Sequence, residues 1–188
     1  MRTSMSGRIR PDEVQREFRL QIEALLGAGL AVRHANSHQH LHVLPRVHEV
    51  VLRLAEEYGI GFVRTPNDRR PRRVPILRRL GVFGLARLAT AAHRQAQHHP
   101  RVRVGDGTIG IAGAGHLTVE RITELLPLVG RLTELVCHPG VDERALAAEF
   151  RWGYGWETET RTLCDAALRR AIREAGITLA SPVDLPIS

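Results

Sequence analysis

Residues 30–64 read LAVRHANSHQHLHVLPRVHEVVLRLAEEYGIGFVR, and this stretch indicates the fold class. Residues 30–37 have the character of an extended segment, after which the histidines cluster. Residues 45–58 carry apolar side chains at helical spacing, and Gly59 is a typical helix terminator. Residues 60–64 form a short apolar run that favours a strand. The stretch therefore predicts an extended segment, a helix and a strand in succession.

The rest of the chain continues this alternation. Residues 11–27 predict a helix that begins at Pro11 and is closed by Gly27 and Gly29. Further elements are predicted as a strand at 108–112, a helix at 118–129, a strand at 134–138, a helix at 158–175 and a short strand at 177–180. Strands that alternate with helices predict an α/β protein with a mainly parallel sheet.

Residues 65–103 differ from their surroundings, because arginines crowd a segment that Pro66, Pro71 and Pro75 interrupt. We interpret this region as an Arg/Pro-rich insertion within a single domain that spans residues 1–188. After the prolines, apolar residues predict one side of a basic amphipathic helix over about residues 72–92. Two interpretations stay open for that helix: packing on the body of the fold, or contact with an anionic membrane surface.

The charge is a weak guide to function. The net charge is +7 and all 27 basic residues are arginine, so a lysine-dependent Schiff base or P-loop is excluded. A nucleic-acid surface has no reason to exclude lysine, and biased base composition explains the pattern better. Aromatic residues make up 4% of the chain, which argues against a stacking platform for single strands. Nucleic acid is therefore an unfavoured partner.

Length and apolar content define the class of protein. The chain has 188 residues, which suits one compact domain, and no apolar run approaches the ~18 residues that a membrane helix needs. We expect a soluble, cytoplasmic protein. Cys137 and Cys164 lack metal-site or redox spacing, and we expect both to be small buried residues.

The strongest chemical signal is a row of side chains at every second position: His34, Asn36, His38, His40 and His42. In an extended chain these residues share one face, whereas a helix would scatter them. Neutral imidazole is a common ligand of divalent metals, so the spacing predicts a metal or substrate site. The alternative is a histidine-rich loop without a function.

A second candidate is His138, which ends an apolar run in LVCHPG. Ligands of α/β proteins bind at the carboxyl ends of strands, and imidazole titrates near neutral pH, so His138 is a candidate acid–base group. Arg64 ends the run GFVR and is a candidate for contact with substrate. We expect His98 and His99 to be exposed and His116 to lie in a turn.

The block HANSHQHLHVLP at residues 34–45, together with LVCHPG at 135–140, resembles the YdjC-like carbohydrate deacetylases. The order of the following helix, the strand that ends at Arg64, GIAGAGHL at 110–117, Trp156 and GITLASPVDL matches the family pattern from about residue 11 onward. The resemblance implies a (β/α) barrel-like fold, a divalent metal (Mg or Zn), and hydrolysis of the N-acetyl group of an amino sugar. His38 then corresponds to a metal ligand and His138 to the acid that protonates the leaving amine. His34, Asn36, His40, His42 and Arg64 would line the site.

Two departures from the family pattern shape our expectations. Asn36 stands where the family has Asp, and the family's first strand with an Asp-Asp pair has no counterpart before residue 34. A barrel of this class typically has about 250 residues, so the chain corresponds to the C-terminal two-thirds, with the barrel incomplete at the N-terminus. Either the start codon is misassigned or the gene is truncated, and we expect little activity from the chain as written.

Several alternatives remain open from the sequence. The acetylated amino sugar is either a chitooligosaccharide or linked to a lipid, and the second case would suit membrane-surface contact. The chain could instead be a non-catalytic remnant or an Arg-rich nucleic-acid-binding protein. An incomplete barrel exposes a sheet edge, which favours a homodimer.

Overall fold

The structure is a computed structural model that describes residues 10–68, 76–182 and 184, with the backbone alone at 76–80 and 82. The helices are α1 (Pro11–Gly27), α2 (Pro45–Tyr58), α3 (Ile76–Ala96), α4 (Val119–Leu125), α5 (Glu143–Glu149), α6 (Trp156–Cys164) and α7 (Ala166–Glu174). The strands are β1 (His34–Ala35), β2 (Phe62–Val63), β3 (Gly107–Ile109) and β4 (Thr133–Leu135). Short 3-10 helices lie at His38–Val43, Ile111–Gly113 and Leu126–Leu128.

The described chain divides into two compact units. Among the described residues, the first comprises 10–64, 88–104, 181, 182 and 184, and the second comprises 65–68, 76–87 and 105–180. We describe each unit by itself.

In the first unit, β1 pairs in parallel with β2, with His34 opposite Phe62. The connection between them contains α2, which Gly59 ends in the left-handed conformation with φ 67°. The core of this unit includes Leu52, Ile60 and Val63, and partly buried side chains of α1 pack against it. The helices predicted from the apolar spacing at residues 11–27 and 45–58 are therefore confirmed as α1 and α2, and both pack on this core.

In the second unit, β3 pairs in parallel with β4 over three residues, and α4 lies between them in the chain. Thr118 caps α4 by accepting a hydrogen bond from the N–H of Arg121. The core combines α4 and α7, with Leu117, Ile122 and Leu168 buried. Both units thus confirm an α/β protein with parallel strands. Closure into a barrel stays a prediction, as does the organisation as one domain.

Several element boundaries differ from the predictions. The helix predicted at 158–175 is two helices, because Asp165 is extended and its carboxylate caps a new helix at the N–H of Ala167, at 2.7 Å. Residues 177–180 are not a strand. The strand predicted at 108–112 gives way to a 3-10 turn at Ile111–Gly113, because Gly110 takes a positive φ of 99°.

Two predictions of burial were wrong. Cys164, the last residue of α6, is exposed, whereas Cys137 is half-buried and packs against the core of the second unit. His99 is buried and not exposed, since its Nδ1 lies 2.8 Å from a carboxylate oxygen of Glu56. His98 is exposed as predicted.

The basic amphipathic helix is only partly testable. Residues 69–75 and the side chains at 76–80 and 82 lie outside the described part of the chain, and these include most of the arginines on which the prediction rests. Within the described residues, no helix is both long and apolar enough to cross a bilayer.

Candidate functional site

The histidine row does not continue as an extended strand. His34 lies on β1, but His38–Val43 is a 3-10 helix in which Gln39 and His40 take left-handed φ values of 51° and 58°. The prediction that five side chains share one extended face was therefore wrong beyond residue 37. The physical reason is local, because the Ser37 hydroxyl accepts a hydrogen bond from the N–H of His42 at 2.9 Å and closes the turn.

His42 lies inside this turn and is 1% exposed. Its Nε2 is 2.7 Å from the main-chain oxygen of Arg64, and its Nδ1 is 3.0 Å from the Ser37 hydroxyl. A carbonyl oxygen can only accept, so Nε2 carries the proton and Nδ1 accepts from Ser37. Burial lowers the pKa of His42 to about 4, so the ring stays neutral near neutral pH. Both ring nitrogens are hydrogen-bonded within the protein, so His42 stabilises the turn.

His48 supports the same turn from α2. It is completely buried, and its ring nitrogens lie 3.2 Å from the main-chain oxygen of His42 and 3.1 Å from that of Ala92. Burial lowers the pKa of His48 as well. A neutral imidazole carries one N–H, so it donates to one of these two carbonyl oxygens.

Three of the predicted site residues line one pocket of about 410 Å³ in the first unit: His34, Asn36 and His38. Aliphatic and aromatic side chains of α1 form part of its wall, including Phe18 and Ile22. The pocket therefore has an apolar wall and a polar edge, the composition typical of small-molecule sites. His34 also packs against Phe62, with ring centroids 5.4 Å apart. His40 and Arg64 are half-buried and do not line this pocket.

The described residues include no cluster of three candidate metal ligands. A catalytic zinc site has three protein ligands, and no three His, Cys, Asp or Glu side chains within residues 10–68, 76–182 and 184 lie close enough to hold an ion together. His38 is exposed at the pocket, whereas His42 has both nitrogens engaged.

In the second unit, His138 lies three residues beyond β4. Its main-chain N–H donates to one carboxylate oxygen of Glu159 at 2.5 Å, and the other oxygen accepts from the N–H of Leu117 at 3.1 Å. Glu159 is completely buried, so it fixes the backbone at His138 from within the core. The imidazole contacts the ring of Tyr154 edge-on, with centroids 5.1 Å apart. The backbone carrying this side chain is thus preorganised.

Sequence reasoning missed two buried carboxylates. Glu159 follows Trp156 by three residues on α6, where the alternation of charged residues and threonines is typical of an exposed helix. Asp68 accepts the N–H of Ala112 at 2.6 Å, and burial raises its pKa. In the sequence, Asp68 sits in the Arg/Pro-rich segment, where charged residues suggest exposure. Nothing in the local pattern would have found either carboxylate.

The fold is similar to a solved crystal structure from Enterococcus faecalis, that of a protein described as a candidate for cellobiose-phosphate cleavage. The TM-score is 0.70 at 22% identity, and the match covers 93% of this chain and 61% of that one. This likeness establishes a shared α/β fold.

The family follows from the sequence. The sequence model of the protein family described as YdjC-like protein matches residues 1–174 of this chain. The chain therefore belongs to the YdjC-like family. A carbohydrate deacetylase from Geobacillus stearothermophilus is 28% identical over 172 residues, covering 90% of this chain and 58% of the relative. A human carbohydrate deacetylase is 29% identical over 203 residues, and the match covers 90% of this chain and 59% of the relative. The chain thus spans about three-fifths of the length of these two relatives.

Proposed function

We propose that this protein is a hydrolase that removes the N-acetyl group from an amino sugar. The observation that carries the proposal is the placement of His138, whose backbone is fixed by buried Glu159 three residues beyond β4. Membership of the YdjC-like family and similarity to carbohydrate deacetylases support the same reaction class.

His138 is proposed as the general acid. Hydrolysis of an amide requires a proton on the departing amine, and an imidazole with an ordinary pKa of about 6.5 supplies one near neutral pH. The fixed backbone sets the point from which the imidazole extends, which helps to position it for proton transfer. Tyr154 adds a packed wall on one side of the imidazole.

His34, Asn36 and His38 are proposed to contact the substrate from the pocket that they line. Asn36 is exposed there, and its amide both donates and accepts hydrogen bonds, which suits sugar hydroxyls and the acetamido group. His40 and Arg64 are proposed as further lining residues, and His42 as the support beneath them. The strands are proposed to belong to a barrel-like sheet.

A divalent metal, Mg or Zn, is proposed as the cofactor, with His38 as one ligand. His38 is exposed at the pocket, where an ion from solvent can reach it. A bound metal would polarise the acetyl carbonyl and lower the pKa of a water molecule.

The test is release of acetate from N-acetylglucosamine and its oligomers by the full chain, with Mg²⁺ or Zn²⁺ supplied. We expect His138→Gln to lower turnover by about 100-fold or more while substrate binding persists. His116→Gln is the matched control, because His116 is an exposed histidine in the same unit. Equal turnover by wild type and His138→Gln would remove His138 from the mechanism, and absence of acetate with every sugar would reject the activity.

A further inference from the structure

The aromatic residues of the chain are concentrated in one short segment. Of the eight Phe, Trp and Tyr residues, four lie at alternate positions in residues 150–156, and these include both tryptophans. We call Phe150, Trp152 and Tyr154 the aromatic ladder, with Trp156 at its base. The low average content of 4% conceals this concentration.

The rings are in mutual contact and step from the interior to the surface. Centroid separations are 4.7 Å from Phe150 to Trp152, 5.6 Å from Trp152 to Tyr154, and 5.8 Å from Tyr154 to Trp156. Trp156 is 5% exposed and Tyr154 is half-buried, whereas Trp152 is 44% and Phe150 is 38% exposed. Large aromatic rings left in solvent as a contiguous group are unusual and mark binding surfaces.

Two glycines hold the buried end of the ladder. A Cβ on Gly115 would lie 2.2 Å from the Tyr154 ring, and Gly115 also has a positive φ of 80°, so Tyr154 packs directly on the bare backbone. The main-chain oxygen of Gly115 accepts the N–H of Gly155 at 2.8 Å. Gly140 gives similar room to Trp156. The exposed rings therefore extend from a rigid base.

The ladder leads to the proposed acid, since Tyr154 is also the ring that contacts His138. Its surroundings are polar but not basic: apart from the buried Glu159, residues 142–161 contain four acidic and three basic side chains in a protein of net charge +7. Arg151 and Glu149 are exposed beside the rings. A surface so close to neutral gives a polyanion little net attraction and offers hydrogen bonds to an uncharged ligand.

We infer that the aromatic ladder is a subsite for an oligosaccharide of N-acetylated sugars. A pyranose ring presents a face of C–H groups that packs on an aromatic ring, and its hydroxyls need polar partners at the rim. Trp152 and Phe150 supply exposed rings, and their sequence neighbours Arg151 and Glu149 are exposed polar side chains. A sugar unit stacked there places the next unit toward His138. The inference rests on the proposed function for the identity of the sugar and extends it to chains longer than one unit.

The experiment measures binding without turnover, in the full chain carrying His138→Gln. Both tryptophans belong to the ladder or its base, so tryptophan fluorescence reports directly on occupancy, and isothermal titration calorimetry gives the affinity. The probes are the tetramer of N-acetylglucosamine and the monomer. We expect the tetramer to bind more tightly than the monomer and to change the tryptophan emission.

Variants on this background identify the ladder. Trp152→Ala is expected to weaken tetramer binding about tenfold and to leave the monomer unchanged, whereas Trp152→Phe, which keeps a ring, restores most of the affinity. Phe83→Ala is the matched control, because Phe83 is an exposed aromatic residue on α3, outside the ladder. Circular dichroism verifies that each variant is folded.

Three outcomes overturn the inference: equal tetramer affinity in Trp152→Ala, a change of oligomeric state on gel filtration in place of lost sugar binding, or preference for an oligothymidylate over the tetramer. The proposed function fails separately. Tetramer binding through Trp152 in a wild-type chain that releases no acetate keeps the subsite and rejects the activity. If Trp152→Ala releases acetate from the tetramer as fast as wild type does, the activity is kept and the subsite is rejected.

Discussion

Glu159 holds His138 through the main chain: the buried carboxylate accepts the N–H of His138 at 2.5 Å and, with its other oxygen, the N–H of Leu117 at 3.1 Å. The two loops that it joins are separated by 21 residues in the sequence. A negatively charged acceptor with two N–H donors makes stronger hydrogen bonds than a neutral one. The position of the proposed acid therefore depends on a residue that does not itself face the substrate.

Glu159→Gln is expected to destabilise the protein by about 1–3 kcal/mol, because the amide nitrogen of glutamine faces one of the two N–H donors and leaves it unsatisfied. Urea unfolding followed by circular dichroism measures the change. Glu149→Gln, an exposed residue of α5, is the control and should change stability by less than about 0.5 kcal/mol. Equal stability of the two variants would contradict the role of Glu159.

The stability of the first unit is expected to depend on pH through His42. Its pKa is about 4 in the native protein and 6.5 when unperturbed, so between these values the unfolded chain binds a proton that the native protein does not. The free energy of unfolding therefore falls as the pH is lowered through this window, by about 2 kcal/mol between pH 7 and pH 5. Urea titrations at the two pH values measure this loss.

His42→Gln should reduce that loss, because the titrating ring is gone, whereas the exposed His98→Gln should leave it unchanged. His48 contributes in the same direction, so some pH dependence will remain in His42→Gln. A loss of the same size in His42→Gln and wild type would show that His42 is not the group responsible.

Gly115→Ala is expected to disturb the base of the aromatic ladder. The new methyl group would lie 2.2 Å from the Tyr154 ring in a backbone with φ 80°, so both crowding and conformational strain oppose it. We expect a loss of about 2–4 kcal/mol and a changed near-ultraviolet circular dichroism spectrum. Gly59→Ala is the control, because it has a similar φ of 67° with nothing within 4 Å, and it should cost about 1 kcal/mol.

His38→Ala is expected to weaken binding of Zn²⁺ or Mg²⁺ by about tenfold or more, because removing a ligand removes a bond to the ion. Isothermal titration of the metal-stripped full chain measures the affinity. His98→Ala removes an exposed histidine elsewhere in the same unit and should leave the affinity unchanged. Identical isotherms for wild type and His38→Ala would exclude His38 as a ligand.

Local patterns predicted the long elements well. α1 and α2 begin at Pro11 and Pro45 and end where glycine was expected to end them, because capping and apolar spacing act within a few residues. The short strands and turns were predicted less accurately. One predicted helix divides at Asp165, where the carboxylate caps a new helix start, and residues of the new helix are buried in the core together with those of α4.

In the candidate site, too, local patterns predicted some features, whereas contacts between distant residues decided others. The histidine spacing predicted the candidate residues, whose roles stay a prediction, but the alternation that suggested an extended row gave the wrong conformation. The turn is closed by Ser37 and by the carbonyl oxygen of Arg64, which is 22 residues from His42. The aromatic alternation at 150–156 was visible in the sequence, but the contact between Gly115 and Tyr154 that supports it joins distant residues.

The sequence by itself determined the α/β class, the family resemblance and the identity of most candidate residues, because these depend on residue types and on spacing within one element. The tertiary structure alone decided which side chains are buried and what they contact. In the tertiary structure, His42 is a buried ring that stabilises the turn, and Glu159 accepts a hydrogen bond from the N–H of His138. The Trp152 side chain stays 44% exposed. These outcomes depend on hydrogen bonds and packing between segments far apart in the chain, which no local pattern records.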